Sequence, residues 1–176
     1  MALPALFIGR FQPFHCGHFD ALAQIFKREK KVIIAIGSAE NSRTAENPFT
    51  AGERYQMIEA ALGQAGTGQA VGSGKQFAII PIRDINNYSK WVEHIESLLP
   101  PFGAVYSGSE VVKKLFKEHG RHKVHTLTIR KKISATLVRE QMRKKQKWGT
   151  LVPAPVAGLL KKFLKKLLKN RAQVKT

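Results

Sequence analysis

The sequence predicts an α/β protein on a doubly wound, mostly parallel sheet, with an amphipathic helix at its C-terminal end. Three observations carry this. Five short apolar or β-branched runs alternate with segments of helical period. Several of those runs are apolar on both faces, as strands covered by helices on two sides must be. The excess of positive charge is confined to the last third, leaving a near-neutral stretch long enough for one such domain.

In chain order, strands are expected at residues 6–11, 32–38, 77–84, 104–107 and 124–129, where apolar and β-branched side chains run together. Helices are expected at 17–27, 52–62, 90–99 and 110–119, in the gaps between them. Thr50 and Glu53 have capping-box spacing, in which hydroxyl and carboxylate satisfy each other's exposed backbone N–H groups. Ser134 is positioned to cap a helix at 135–145, and residues 156–169 form a last amphipathic helix. The core is expected to span 1–150, with 151–176 a basic helix and tail. Ligands of such folds bind beyond the C-terminal ends of the strands, so the residues after each strand are where chemistry is sought.

Residues 63–76 hold five glycines and read as a surface loop. Gly74-Lys75 suggests a phosphate-binding loop, but Gln69 stands where the first glycine is needed and Gln76 replaces the hydroxyl residue. The loop reading is kept.

The 176 residues carry a net charge of +18. As a total this suggests nucleic acid, an anionic membrane or phosphorylated small molecules. Residues 1–119 hold 13 basic and 11 acidic side chains, whereas residues 120–176 hold 17 basic side chains and Glu140 alone. A uniformly basic nucleic-acid binder would not divide this way, and Trp148 and Phe163 are the only aromatic residues there for base stacking. In the last helix Leu159, Leu160, Phe163, Leu164, Leu167 and Leu168 make an apolar stripe opposite Lys161, Lys162, Lys165, Lys166 and Lys169. A packed helix with a solvated lysine face is favoured over a membrane-surface helix. Cys16 is the single cysteine, which excludes an intrachain disulfide and a cysteine-rich zinc site and fits a reducing compartment. No stretch approaches the roughly 20 apolar residues of a membrane span. The N-terminus lacks the basic leader of a signal peptide, so the cytoplasm is the expected location.

After the first strand comes Gly9-Arg-Phe-Gln-Pro-Phe-His-Cys-Gly-His18. His15 and His18 sit where a strand turns into a helix N-terminus, whose free N–H groups and positive dipole end favour an anion. Gly17 allows close backbone approach to a phosphate, the imidazoles can donate to phosphoryl oxygens, and Arg10 adds a planar fork. Zinc is a poorer fit, for want of a nearby third ligand. Histidines that merely cap the helix are the alternative. A second element, Ile133-Ser-Ala-Thr-Leu-Val-Arg139, follows Arg130-Lys-Lys132. Ser134 and Thr136 offer hydroxyls, and Arg139 can fold back over the same anion. Taken alone, a capped basic surface helix explains it better.

Together the two elements resemble the nucleotidylyltransferase superfamily. The blocks Ile8–Phe14 with His15, Ile36-Gly-Ser-Ala39, Asn47-Pro-Phe-Thr-Ala-Gly-Glu-Arg54, Asp84-Ile-Asn-Asn87, Trp91-Val-Glu-His94 and Val105-Tyr-Ser-Gly108 are similar to archaeal-type nicotinamide-mononucleotide (NMN) adenylyltransferases, over residues 5 to 165. The resemblance implies a Rossmann-like fold and the reaction of ATP with NMN to give NAD and pyrophosphate. Mg²⁺ would accompany ATP, with no metal ligand from protein side chains. It implies triphosphate contacts from Arg10, His15, His18 and Arg139, with Gly9, Gly17, Ser134 and Thr136 beside them. Gly108 and Ser109 would lie against adenine. Ile85, Asn86, Asn87 and Tyr88 would hold the nicotinamide carboxamide, and Trp91 would stack on its ring. Tyr88 stands where the family pattern has asparagine, and Trp91, His94 and Leu98 also fit one core-facing helical stripe. Arg54 is read as loop architecture within reach of a phosphate, and His94 as packing or subunit contact. A homo-oligomer is implied. The rival readings are another acceptor (FMN, phosphopantetheine or a polyol phosphate) and an RNA-binding protein on the same fold.

Overall fold

The computed structural model describes residues 2–63, 74–128 and 132–173, with side chains described up to 167. The loop expected at 63–76, and Arg130 and Lys131, thus lie largely outside the described residues. The elements run β1 (Ala5–Gly9), α1 (Cys16–Arg28), β2 (Lys31–Ile36), α2 (Ala51–Leu62), β3 (Gln76–Pro81), a 3₁₀ turn (Tyr88–Lys90), α3 (Trp91–Leu98), β4 (Val105–Tyr106), α4 (Glu110–His119), β5 (Val124–His125), α5 (Ala135–Arg143), a second 3₁₀ turn (Gly149–Leu151) and α6 (Ala154–Gln173).

The strands form one parallel sheet in the order β3-β2-β1-β4-β5. Leu6 of β1 pairs with Ile33 of β2 on one side and Val105 of β4 on the other. Strand periodicity divides the core into two layers. Ala5, Phe7, Val32, Ile34, Ile36 and Tyr106 face one cluster with α1, α2, α5 and α6, whereas Leu6, Ile8, Ile33, Ala35 and Val105 face a second with α3 and α4. Each fully buried Val, Leu, Ile or Phe among them contributes roughly 1.5–3 kcal/mol. This is the Rossmann-like doubly wound arrangement expected.

Helix ends follow the sequence signals. Thr50 Oγ1 accepts from Glu53 N at 3.2 Å, and Glu53 Oε2 accepts from Thr50 N at 2.9 Å. Ser134 caps α5 through Leu137 N at 3.1 Å. Ser109 caps α4, and Gly120 ends it with the left-handed φ of 76° that glycine adopts freely. In α3 the buried face is Trp91, Val92 and Ile95, continued by Leu99; Leu98, expected on the Trp91 stripe, is instead exposed. Val156, Leu160 and Phe163 of α6 are buried in the first cluster, with Phe163 tilted against Phe49 at 6.4 Å. The apolar stripe is therefore spent on the core up to Phe163, while Lys161, Lys162, Lys165 and Lys166 are exposed. Among the described residues no helix is long and apolar enough to cross a membrane.

Candidate active site

β1 sits at the switch point of the sheet: the chain winds outward from it through β2 to β3, then crosses back to β4 on its other side. A crevice opens at that point, beyond the strand ends, as parallel sheets require. It is a cavity of about 340 Å³ lined by Gly9, Arg10, Gln12, His15, Gly17 and His18 from the β1 end, Ser107, Gly108 and Ser109 after β4, and Ser134 and Arg139 of α5.

The histidine pair forms its own capping box. His15 Nδ1 accepts from Gly17 N at 3.1 Å and His18 N at 3.4 Å, while His18 Nδ1 accepts from His15 N at 3.3 Å. The rings stack with centroids 3.7 Å apart. A nitrogen that accepts a hydrogen bond carries no proton, so the proton of each neutral ring is on Nε2. Burial pushes His15 down to about 4. Burial, and then the neighbouring His15, hold His18 well below the usual histidine range. Phe11 and Phe14 wall in the His18 ring, at 4.9 and 5.5 Å. Both imidazoles are therefore neutral donors at pH 7. The helix amides expected to hold an anion are corrected here: those of Gly17 and His18 are already occupied by His15. Capping and donation are not alternatives, because they use opposite ring nitrogens.

Gly17 also meets a packing requirement that the sequence did not indicate. A Cβ there would lie 3.0 Å from the His15 ring and 3.2 Å from the Ile133 carbonyl oxygen. The missing side chain lets the segment before α5 close on the start of α1. At Gly108 a Cβ would meet nothing within 4 Å, so that wall faces open space.

Arg139 does fold back. Its Nη1 donates to the Gln12 carbonyl at 2.8 Å and its Nη2 to Thr136 Oγ1 at 3.2 Å, tying α5 to the β1–α1 loop. Burial, and then Arg10, lower its pKa, but a guanidinium remains cationic at neutral pH. Two like charges are thus held at one cleft without a carboxylate hydrogen-bonded to either among the bonds described. Thr136 reaches the site only through Arg139. Gln12, which sequence reasoning did not single out, is the hub of this junction: its side-chain amide bridges the N–H and carbonyl of Phe49 at 3.0 and 2.8 Å. Its residue type carries no chemical signal, so only its place inside the motif marked it. Ser107, also not singled out, donates to the Ile8 carbonyl and accepts from Ser109 N, both at 3.1 Å.

The residues expected at the acceptor end do not line this cleft. Ile85, Asn86, Asn87 and Tyr88 follow β3, all exposed, with Tyr88 at 69%. Trp91 is only 8% exposed and meets Phe116 edge-on at 5.9 Å. His94 packs through Nε2 on the Arg83 carbonyl at 2.9 Å. Arg54 is fully buried with its N–H groups directed at backbone carbonyls, so the phosphate contact considered for it is corrected.

Comparison with known proteins agrees with this geometry. Residues 6–141 match the cytidylyltransferase-like family. A nicotinamide-nucleotide adenylyltransferase of Archaeoglobus fulgidus is 40% identical over 160 residues, spanning 90% of this chain and 91% of that protein. Another from Pyrococcus furiosus is 43% identical over 160 residues, spanning 90% and 82%. The chain also superposes on a bifunctional NMN adenylyltransferase/ADP-ribose pyrophosphatase of Francisella tularensis, solved with AMP and a manganese ion, with a TM-score of 0.68 and 23% identity. It covers 100% of this chain and 57% of that one. That structure shares the fold, and the archaeal relatives share the sequence nearly end to end. The chain belongs to the nicotinamide-nucleotide adenylyltransferase family, on the cytidylyltransferase-like fold.

Proposed function

We propose that this chain transfers the adenylyl group of ATP to the 5′-phosphate of NMN, giving NAD and pyrophosphate. One observation carries the chemistry: two stacked neutral imidazoles and the guanidinium groups of Arg10 and Arg139 line one cleft at the switch point of a parallel sheet. The acceptor comes from family membership.

The acceptor phosphate has a second pKa of about 6 and is already a nucleophile at pH 7, so no general base is needed. One of its oxygens attacks the α-phosphorus in line. The bond from that phosphorus to the bridging oxygen breaks, and its electron pair leaves with pyrophosphate. No proton has to move. The difficulty is to bring two polyanions together and to stabilise charge on the α-phosphoryl oxygens and the leaving group. In this reading Nε2–H of His15 and His18, with Arg10 and Arg139, supply those donors, and Ser134 and Thr136 flank them. Neutral donors suit the task because they hydrogen-bond without holding the product as a fixed ion pair would. Adenine would lie against Gly108 and Ser109, and the carboxamide against Ile85–Tyr88. Stacking by Trp91 requires a face of its buried ring to open toward the acceptor.

Mg²⁺ would enter on the substrate, as MgATP. Asp20 is the one carboxylate among the residues lining the cleft, and among the described residues no group of three or more His, Cys, Asp or Glu could hold a metal ion. The metal would shield triphosphate charge. Assembly into a homo-oligomer and a cytoplasmic location belong to the same proposal; Leu98 and Val111, 49% and 53% exposed on neighbouring helices, offer apolar surface for the former.

The test is purified protein with MgATP and a panel of NMN, nicotinic acid mononucleotide, FMN, phosphopantetheine and a polyol phosphate, read by pyrophosphate release. NMN as the efficient acceptor, with NAD equal to pyrophosphate, supports the reading. Efficient turnover with FMN, phosphopantetheine or a polyol phosphate instead refutes the acceptor and keeps the cleft chemistry.

A further inference from the structure

We propose that Arg54 is a positioning residue whose buried guanidinium fixes the triphosphate loop against the segments that carry the acceptor end, setting the separation of the two substrates. The proposal rests on the reaction assigned above.

Arg54 lies on α2, outside the cleft, and is 0% exposed. A buried guanidinium has five N–H donors and needs a partner for each. Its partners here are not carboxylates. Nη1 donates to the carbonyls of Arg10 at 3.0 Å and Gly37 at 2.9 Å. Nη2 reaches the carbonyls of Ser38 at 3.1 Å and Ala39 at 3.3 Å. Nε reaches its own N-cap carbonyl, Thr50, at 3.3 Å. One planar group therefore holds the loop after β1 and the loop after β2 in a fixed relation.

The second loop passes the constraint on. Ala39 N donates to the Ile82 carbonyl at 2.9 Å, and Asp84 N donates to Glu40 Oε2 at 3.1 Å. Ser38 Oγ contacts Asp84 Oδ2 at 3.4 Å. Ser38 and Asn86, at the two ends of this junction, have φ of 47° and 51°, left-handed values that cost free energy for residues other than glycine. Such conformations persist when surrounding bonds over-determine them: Arg54 Nη2 holds the Ser38 carbonyl, and Asp84 Oδ1 accepts from Asn86 N at 3.3 Å. Hydrogen bonds thus connect the Arg10 backbone to the start of the 84–88 segment. In-line attack needs this: a misplacement of about 1 Å can cost about 100-fold in rate.

The experiment is steady-state kinetics on Arg54→Lys and Glu40→Ala, with nucleotide affinity, melting and amide exchange on the same samples. Lysine keeps the charge but has three donors on one atom, so it cannot bridge both loops. Expected for Arg54→Lys is a kcat at least about 10-fold lower, with the Kd for ATP within about 3-fold and faster exchange at the amides of Ala39 and Asp84. Glu40 is exposed, so Glu40→Ala keeps the fold; it removes the link to Asp84 N together with the Glu40 contact to Asn41 and its charge near Arg54. Its KM for NMN is expected to rise about 10-fold while its KM for ATP stays within about 2-fold. The proposal is overturned if folded Arg54→Lys keeps kcat and amide exchange within 3-fold of the parent, or if its loss only tracks the unfolded fraction. If Arg54→Lys does not fold, unchanged KM values in Glu40→Ala overturn it alone. Parent protein that makes no NAD refutes the assigned reaction instead, and the amide-exchange comparison still decides the link.

Discussion

Replacing His18 by alanine removes three things that the structure separates. The first is the Nε2–H proposed as a donor to the triphosphate, and loss of one such donor in a preorganised site costs about 100- to 1000-fold in turnover, or roughly 2.7–4 kcal/mol of barrier. The second is the Nδ1 acceptor for His15 N at 3.3 Å, whose loss leaves a half-buried amide unpaired at ~1–3 kcal/mol of stability. The third is the ring stacked 3.7 Å from His15, which fixes the other donor. Glutamine and asparagine divide these effects. A glutamine amide nitrogen falls near the position of Nε2, whereas an asparagine amide falls near Nδ1. His18→Gln should therefore turn over about tenfold faster than His18→Ala, the value of one neutral hydrogen bond. His18→Asn should match the alanine variant in rate while recovering part of its stability. The assay is pyrophosphate release at saturating MgATP and NMN, with circular dichroism confirming that each variant is folded. A folded His18→Ala with more than about a third of parental turnover, or an asparagine variant faster than glutamine, would refute the assignment of Nε2 as donor.

Three further outcomes follow from the same geometry. Arg139→Ala should lose about 100- to 1000-fold in kcat while its urea midpoint falls by no more than the ~1–3 kcal/mol of the bonds to Gln12 and Thr136. Gly17→Ala forces a Cβ to 3.0 Å from the His15 ring, so urea titration should show a loss of ~1–3 kcal/mol together with slower turnover; an unchanged variant would show that the helix start is looser than described. For pH, the folded-state values of both histidines lie below their unfolded value of about 6.5. The unfolded chain therefore takes up protons that the folded chain refuses as pH falls below 6.5, and stability drops until the folded His15 protonates at about 4. That shift corresponds to roughly 3–4 kcal/mol for His15. Urea midpoints between pH 7 and 4.5 should fall more steeply for the parent than for the His15→Gln, His18→Gln double variant, and parallel slopes would contradict the neutral pair.

Most of the architecture was legible because it rests on local chemistry. The bounds of α4 match the expectation because Ser109 and Gly120 mark both ends by cap and left-handed turn. The strands were expected longer than they are: β4 and β5 pair over two residues each, since apolar sequence continues past the point where a neighbour is available. α6 begins at Ala154 rather than 156, because Pro155 is harmless in a first turn that lacks N–H partners anyway. At the site, sequence spacing named the residues that line the cleft but not which nitrogen each imidazole leaves free. That depends on His15 and His18 capping each other, a contact no residue type announces. Arg54 was read as loop architecture, and its bonds to loop carbonyls agree; only the phosphate contact considered beside that reading is removed. Trp91 fitted both core and ligand by periodicity, and its edge-on contact with Phe116 establishes the core contact alone.

The central claim is that the cleft directs attack at the α-phosphorus of ATP. Turnover with ATP labelled separately at the α- and γ-phosphates, in the presence of NMN, tests it directly. All α-label is expected in NAD and all γ-label in pyrophosphate, at equal rates. Label from the γ-position in the acceptor product, or α-label that stays in ADP or free AMP, would contradict it.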